Sequence, residues 1–137
     1  MTISEAIFAL IQDEQIRQEG RFTPQDQEYL EKIDRHAELI THHEQGEIFG
    51  YVFFYCNAPA KQFSYITLIG TSQAARGKGI GFGLLQAVLA ISRARGFRSC
   101  RLEVRKENNA ALNFYQRAGF QSIEDRGDKL LMDIDIQ

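Results

Sequence analysis

This 137-residue chain is poor in several residues that mark specialised classes of protein. It has no tryptophan, two prolines and two cysteines. The cysteines, Cys56 and Cys100, lie far apart and form no C-x-x-C spacing, so the sequence indicates neither a zinc site nor a disulfide-rich scaffold. The longest apolar run near the start, residues 7–11, is too short to span a bilayer and follows the acidic Glu5. We therefore predict a cytoplasmic protein without a membrane segment or secretion signal.

The chain also has little net charge, and its charges are unevenly distributed. Sixteen basic and eighteen acidic residues give a net charge of -2, which argues against broad neutralisation of DNA phosphates, so no nucleic-acid partner is predicted. Residues 71–117, however, contain nine basic and two acidic side chains, whereas residues 1–70 contain five basic and eleven acidic ones. The basic segment indicates a site for a small anion, although a solvated helix face would give the same pattern.

Length and composition are typical of a single α/β domain spanning residues 1–137. Hydrophobic residues make up 44% of the chain, which is enough for one core. Apolar spacing and capping residues predict helices over residues 5–17, 24–36, 81–95 and 109–118, the first capped by Ser4 and the second by Thr23. Strands are predicted over residues 38–41, 48–56, 63–71, 99–105, 120–123 and around 132–136. The βαβ crossover within residues 63–105 favours parallel pairing of its two strands.

The loop before the third predicted helix is rich in glycine and has the sequence RGKGIGFG over residues 76–83. Backbone N–H groups and the positive end of the helix dipole converge at such a place, so the loop fits a diphosphate. A Walker loop is excluded because Lys78 is followed by Gly79, and the G-x-G-x-x-G fingerprint fails at its third glycine. Glu103 does lie near the expected position of a ribose-binding acid, so a nucleotide-binding domain stays an alternative.

The same loop satisfies a third phosphate-binding pattern, R-x-x-G-x-G, with Arg76, Gly79 and Gly81. Further along, residues 102–120 satisfy L-E-V-x-x-x-N-x-x-A-x-x-F-Y-x-x-x-G-F. With these two motifs, residues 63–121 resemble the GNAT superfamily of acetyl-CoA-dependent N-acetyltransferases, in particular the ribosomal-protein alanine acetyltransferases. The resemblance implies a GNAT-like α/β fold, with a mixed, mostly antiparallel sheet, a splayed central parallel pair and about four flanking helices. The family's first strand has almost no room before Ser4 and is expected to be short or missing.

The resemblance also implies which residues bind acetyl-CoA. The loop would hold the diphosphate through its amides and two basic side chains, and the preceding strand would pair with the pantetheine arm and polarise the thioester carbonyl through one N–H group. The implied residues are Ile69, Gly70, Thr71, Arg76, Gly77, Lys78, Gly79, Ile80, Gly81, Phe82, Asn108 and Tyr115. Gly70 fits a bulge, with a plain sheet glycine as the alternative. Asn108 would contact the pantetheine arm, cap the next helix, or do both.

Two catalytic roles follow from the same resemblance. Tyr115 would protonate the departing coenzyme A sulfur, and a core aromatic is the alternative. Glu103 would act as the base that deprotonates the amine, through a water molecule, and an exposed strand glutamate paired with Arg101 or Arg105 is the alternative. Together the two residues would carry out the two proton transfers that acetyl transfer requires, since a protonated amine cannot attack and the coenzyme A sulfur leaves more easily when it is protonated.

The expected activity is transfer of an acetyl group from acetyl-CoA to a primary amine of a small molecule, by direct attack in a ternary complex. Alternatives are a protein N-terminal acetyltransferase of the ribosomal-protein type and a non-catalytic acyl-CoA-binding module. No metal is expected, because His36, His42 and His43 lack partners at metal-binding spacing. The expected partner is a small-molecule or peptide amine, and dimers are common in the family, so a homodimer is open.

Overall fold

A computed structural model describes residues 4–24 and 27–137. The helices are α1 (Glu5–Arg17), α2 (Gln27–His36), α3 (Ile80–Ala94) and α4 (Asn109–Ala118). The strands are β1 (Glu38–Glu44), β2 (Glu47–Tyr55), β3 (Phe63–Thr71), β4 (Ser99–Arg105), β5 (Gln121–Asp125) and β6 (Lys129–Asp135), and a short 3-10 turn, Gln73–Ala75, follows β3. The predicted helices and strands are confirmed, with shifts of a few residues at their ends. The prediction about the family's first strand falls on residues outside the described ranges.

The strands form one sheet in the order β1-β2-β3-β4-β6-β5. Only β3 and β4 are parallel among the described strands, and they pair over residues 63–66 and 99–102 alone. Beyond these residues the two strands diverge, although both continue to Thr71 and Arg105. The predicted fold class, a mostly antiparallel sheet with a splayed central parallel pair and four helices, is confirmed.

Each face of the sheet carries a core. Helices α3 and α4 cover one face, the α3–α4 face, whose buried residues include Val52, Leu85, Val88, Leu102 and Met132. Helices α1 and α2 cover part of the other face, the α1–α2 face, whose buried residues are Ile7, Ile11, Ile33, Tyr51, Phe53 and Leu68. Successive strand residues point to opposite faces, so β2 supplies both cores.

Helix α3 is fixed against the sheet near both of its ends. Near its start, Gly50 of β2 allows a close approach, because an added Cβ atom would lie 2.8 Å from Cγ2 of Ile80. Near its end, the buried hydroxyl of Ser92 lies 2.6 Å from that of Ser64 in β3 and donates to the carbonyl of Val88. These contacts fix the two ends of α3, and hence the glycine loop before it, relative to β2 and β3.

The two N-caps predicted for α1 and α2 have opposite outcomes. Ser4 accepts a hydrogen bond from the amide of Ile7, so the first cap is confirmed. Thr23 does not cap α2, which begins at Gln27. The side chain of Gln15 instead binds Thr23, donating to its carbonyl and hydroxyl oxygens and accepting from its amide, all at 3.1 Å. The carboxamide of Gln15 is a long-range partner that a capping pattern does not reveal.

Membrane-spanning helices and clusters of metal-ligating side chains are both absent from the part of the chain that the structure describes. No helix within them is long and apolar enough to cross a bilayer. No three histidine, cysteine or carboxylate side chains within residues 4–24 and 27–137 come together as metal ligands would.

Burial raises the pKa of every tyrosine, since loss of water disfavours the phenolate: Tyr29, Tyr51, Tyr55, Tyr65 and Tyr115. Below the ordinary pKa of 10.0 both the folded and the unfolded chain keep these protons, so the tyrosines add no pH dependence there. Above it, only the unfolded chain ionises. We therefore expect each fully buried tyrosine to lower the free energy of unfolding by about 1.4 kcal/mol per pH unit above pH 10.

Urea unfolding at pH 8 and at pH 11, followed together with the ultraviolet absorbance of the phenolate, measures this effect. Phenolate absorbance should appear with unfolding. A folded protein whose tyrosines ionise with a midpoint near pH 10 would contradict the prediction.

Candidate active site

The divergence of β3 and β4 opens a gap in the middle of the sheet, bounded by residues 67–71 and 103–105; we call it the strand gap. Along each of these segments, alternate residues direct their backbone N–H and C=O groups toward the gap. The predicted binding residues Ile69, Gly70 and Thr71 all lie on its β3 side. The gap connects the two faces of the sheet, so groups on both faces can reach a molecule within it.

A bulge marks the point where β3 leaves β4, but it lies at Thr67, and the predicted bulge at Gly70 is wrong. Neighbouring residues Phe53 and Phe54 of β2 pair with Leu68 and Ile66, so Thr67 is the extra residue. The hydroxyl of Tyr29, on α2, lies 3.0 Å from the carbonyl oxygen of Thr67 and 2.9 Å from its hydroxyl oxygen. Gly70 pairs in register with Tyr51, whose side chain lies across it.

The glycine loop presents free backbone donors at the start of α3. Gly77 and Gly79 have φ angles of 81° and 78°, in the left-handed region that favours glycine. Within the described part of the chain, no amide of residues 77–82 donates a hydrogen bond to another backbone or side-chain atom. An added Cβ atom at Gly77 or Gly79 would meet nothing within 4 Å, so the loop is open on that side. Free amides at a helix N-terminus fit a diphosphate.

The basic side chains of the loop differ in their partners. Lys78 is exposed, whereas the guanidinium of Arg76 forms an ion pair with Glu14 of α1. The Glu14 side chain is 10% exposed and also accepts hydrogen bonds from Arg17 and Gln18. Burial by itself would raise the pKa of Glu14, but these hydrogen bonds and the charge of Arg76 outweigh it and lower the pKa. Arg76 therefore links the loop to α1, and its predicted contact with a diphosphate stays a prediction.

Asn108 directly precedes α4, and Tyr115 lies in the second half of that helix. The ring of Tyr115 is buried on the α3–α4 face, with ring centres 5.2 Å from Phe114 and 5.8 Å from Phe120. Burial raises the pKa of Tyr115, so its hydroxyl stays protonated at neutral pH. The Oδ1 atom of Asn108 accepts from the amide of Ala111 at 3.1 Å, which confirms the N-cap role. This bond engages the oxygen atom alone, and the contact with pantetheine stays a prediction.

Glu103 lies on β4 between Leu102 and Val104, which point into the α3–α4 core, so its side chain is on the α1–α2 face. Its carboxylate is 3.0 Å from the guanidinium of Arg126, in the β5–β6 turn. The alternative, in which Glu103 pairs with Arg101 or Arg105 of its own strand, does not hold, because Arg101 bonds to its cross-strand neighbour on β6 and Arg105 to a carboxylate of the turn. Glu103 and the predicted acid Tyr115 are therefore on opposite faces of the sheet.

Sequence reasoning missed three residues close to these features. Besides Glu14, they are Tyr51 and Ser72, whose buried hydroxyl oxygens have no hydrogen-bond partner among the described residues. Ser72 directly follows β3, and Tyr51 lies across Gly70. Buried polar atoms almost always have a partner in folded proteins, so a ligand with polar atoms in the strand gap would suit them. Only the position of Ser72 next to the predicted binding strand was a signal in the sequence.

The chain matches a family model over most of its length and a named relative over part of it. A model of the "Acetyltransferase (GNAT) family" matches residues 5–120. N-alpha-acetyltransferase 30 of Schizosaccharomyces pombe is 39% identical over 56 residues, which are 41% of this chain and 37% of that protein. The matched part of the chain thus spans little more than a third of the length of that relative.

Solved structures share the fold at low sequence identity. Ard1 from Thermoplasma volcanium superposes with a TM-score of 0.77 at 20% identity, covering 100% of this chain and 96% of that one. PaiA N-acetyltransferase from Thermoplasma acidophilum, in complex with coenzyme A, gives a TM-score of 0.77 at 17% identity, covering 96% of this chain and 91% of that one. The family match extends over most of the chain, and with it the predicted enzyme class and its co-substrate, acetyl-CoA, are confirmed. The chain belongs to the acetyltransferase (GNAT) family.

Proposed function

We propose that this protein transfers the acetyl group of acetyl-CoA to the α-amine of a polypeptide N-terminus. One observation carries the proposal: the strand gap opens directly beside a loop of free amides, with Tyr115 on one face of the sheet and Glu103 on the other. Acetyl-CoA supplies an activated acyl group that an amine can attack. The residues around the gap would bind it, align it and move two protons.

Binding would use the whole length of the gap. The amides of residues 77–82 would hold the diphosphate, with charge added by Lys78 and Arg76, and residues 69–71 would pair with the pantetheine arm. The polar hydroxyl of Ser72 and the amide nitrogen of Asn108 would supply further hydrogen bonds. An N–H group of the same β3 segment would polarise the thioester carbonyl.

The two faces divide the chemistry between them. On the α1–α2 face, Glu103 would accept a proton from the ammonium form of the amine through a water molecule and pass it to solvent, and the neutral nitrogen would then form a bond to the carbonyl carbon. The second proton, which the nitrogen loses as the amide forms, would leave by the same route. On the α3–α4 face, Tyr115 would donate its proton to sulfur as the carbon–sulfur bond breaks. The products are an acetylated amine and a free thiol, and Tyr115 would recover a proton from solvent.

Two observations favour a polypeptide acceptor. Helices α1 and α2 pack on β2 and β3, and the β4 and β6 side chains on this face, such as Arg101, Glu103 and Asp133, are only half-buried. An open sheet face suits an extended peptide better than a small molecule, which usually needs an enclosed pocket. The relative with 39% identity is named an N-alpha-acetyltransferase. An α-amine also has a pKa of about 8, so a modest base is sufficient at neutral pH.

A small-molecule amine remains the second candidate, and the uneven charge of the chain is compatible with it. Residues 1–70 carry eleven acidic and five basic side chains, and this half includes the helices on the acceptor side. An excess of acidic groups there would attract a cationic amine of any size.

Loss of the free space at Gly79 should weaken binding of coenzyme A. In Gly79→Ala the added methyl group lies in the open side of the loop, and we expect the dissociation constant from calorimetry to rise by about 10- to 100-fold as hydrogen bonds to the diphosphate are lost. Gly46→Ala is the matched control, because Gly46 has a φ of 79° and free space like Gly79 but lies in the β1–β2 turn. Both variants should lose about 1–2 kcal/mol of stability. Equal affinity for coenzyme A in both would remove the loop from the binding site.

Tyr115→Phe and Glu103→Gln should both slow the reaction, but the two losses should depend differently on pH. Without the phenol proton, we expect kcat to fall about 100-fold at every pH, with the affinity for acetyl-CoA unchanged. Without the carboxylate, activity should fall at pH 7 and approach that of the wild type above about pH 9, where α-amines are neutral in solution. Release of free thiol measures both. A pH-independent loss in Glu103→Gln, or full turnover in Tyr115→Phe, would remove the corresponding role.

An acceptor panel tests the proposed substrate class. Peptides with different N-terminal residues, the same peptides with a blocked N-terminus, and small amines would be incubated with acetyl-CoA and scored by product mass. We expect acetylation of free peptide N-termini and none of blocked peptides. Product from small amines alone would favour the second candidate.

A further inference from the structure

The hydroxyl of Tyr51 is a buried polar group that the proposed reaction has not used. Tyr51 is 1% exposed, and its oxygen atom has no hydrogen-bond partner among the described residues. The ring packs edge-on against Phe53 in the core of the α1–α2 face, so packing explains the aromatic ring. It does not explain the oxygen atom, which phenylalanine would lack and which is costly to bury without a partner.

This hydroxyl lies over the β3 strand, close to the strand gap. Tyr51 pairs with Gly70, and a Cβ atom added to Gly70 would lie 2.5 Å from the Tyr51 hydroxyl oxygen. The side chain therefore crosses from β2 over β3, a distance of about 4.8 Å between strands. The hydroxyl lies above the β3 segment whose far edge has no partner strand. Because Gly70 has no side chain, the oxygen atom lies directly over the β3 backbone beside that edge.

The groups around Tyr51 keep it a hydrogen-bond donor. Burial raises its pKa, and the negative charge of Glu14 raises the pKa further, while the positive charge of Arg17 opposes this only in part. Tyr29, the other titratable group close to it, is occupied at the carbonyl of Thr67. A neutral phenol in dry surroundings at this edge is complementary to a carbonyl oxygen that gains negative charge.

We propose that Tyr51 is a catalytic residue that donates a hydrogen bond to the carbonyl oxygen of the acetyl group during transfer. This inference rests on the proposed function, and it adds a side-chain donor to the backbone donor of β3. As the carbon–nitrogen bond forms, an electron pair moves onto the carbonyl oxygen, and it returns as the carbon–sulfur bond breaks. Tyr51 keeps its proton throughout, so it acts by stabilising charge and leaves proton transfer to Glu103 and Tyr115.

The test compares Tyr51→Phe with Tyr55→Phe, which removes the same atom four residues further along the same strand. We expect kcat of Tyr51→Phe to fall about 10- to 100-fold, with the pH profile unchanged. We also expect its Tm to rise by about 3 °C, because an unpartnered buried hydroxyl is removed. Tyr55→Phe should keep the wild-type kcat.

A spectroscopic measurement needs no acceptor. Infrared difference spectra of acetyl-CoA labelled with ¹³C at the thioester carbonyl report hydrogen bonding to its oxygen atom. With the label bound, the carbonyl stretch should lie at higher wavenumber in Tyr51→Phe than in the wild type or in Tyr55→Phe. This shift would not arise from a purely structural role of the ring.

The outcomes separate this inference from the proposed function. Wild-type protein that binds no acetyl-CoA in calorimetry would refute the proposed function itself. If the wild type binds acetyl-CoA and is active, an unchanged carbonyl stretch or an unchanged kcat in Tyr51→Phe would overturn the role of Tyr51 alone. A lower Tm in Tyr51→Phe would also overturn it, because the hydroxyl would then have a partner within the folded protein.

Discussion

The architecture of the site depends on how soon the two central parallel strands stop pairing. β3 and β4 are hydrogen-bonded over residues 63–66 and 99–102, and both strands continue without each other. Backbone groups that a continuous sheet would satisfy are thereby left for a ligand, and the two faces of the sheet are connected. The extra residue Thr67, held by Tyr29 of α2, lies where the pairing ends. A bulge bends and twists a strand, which gives the divergence a local cause.

One arginine links the glycine loop to helix α1. Arg76 belongs to the loop by sequence, yet its guanidinium pairs with Glu14, a buried carboxylate of α1. A diphosphate in the loop and Glu14 would compete for the same positive charge. The charge of Glu14 also raises the pKa of Tyr51, so this one carboxylate interacts both with the arginine of the loop and with the phenol beside the strand gap.

Predictions from local patterns succeeded where the cause lies within a few residues. Ser4 and Asn108 cap their helices through side chains that reach three residues ahead, and glycines occupy the left-handed positions of the loop. The pattern at Thr23 has the same form and failed, because Gln15, eight residues away, forms the hydrogen bonds that a cap would need. The alternative role of Glu103 was a pairing within its own strand, and the structure places its partner in a turn 23 residues later.

The order of the elements, the caps at Ser4 and Asn108 and the two family motifs could thus be predicted from the chain, since helix and turn preferences act over short distances and the motif residues are close in sequence. Which side chains lie beside the strand gap could not be predicted from the sequence. Register decides it, and register here includes the extra residue at Thr67, which changes the face on which later β3 residues lie. The meeting of Tyr51 with Gly70, like that of Arg76 with Glu14, joins residues from separate elements, and only packing of the complete fold brings such residues together.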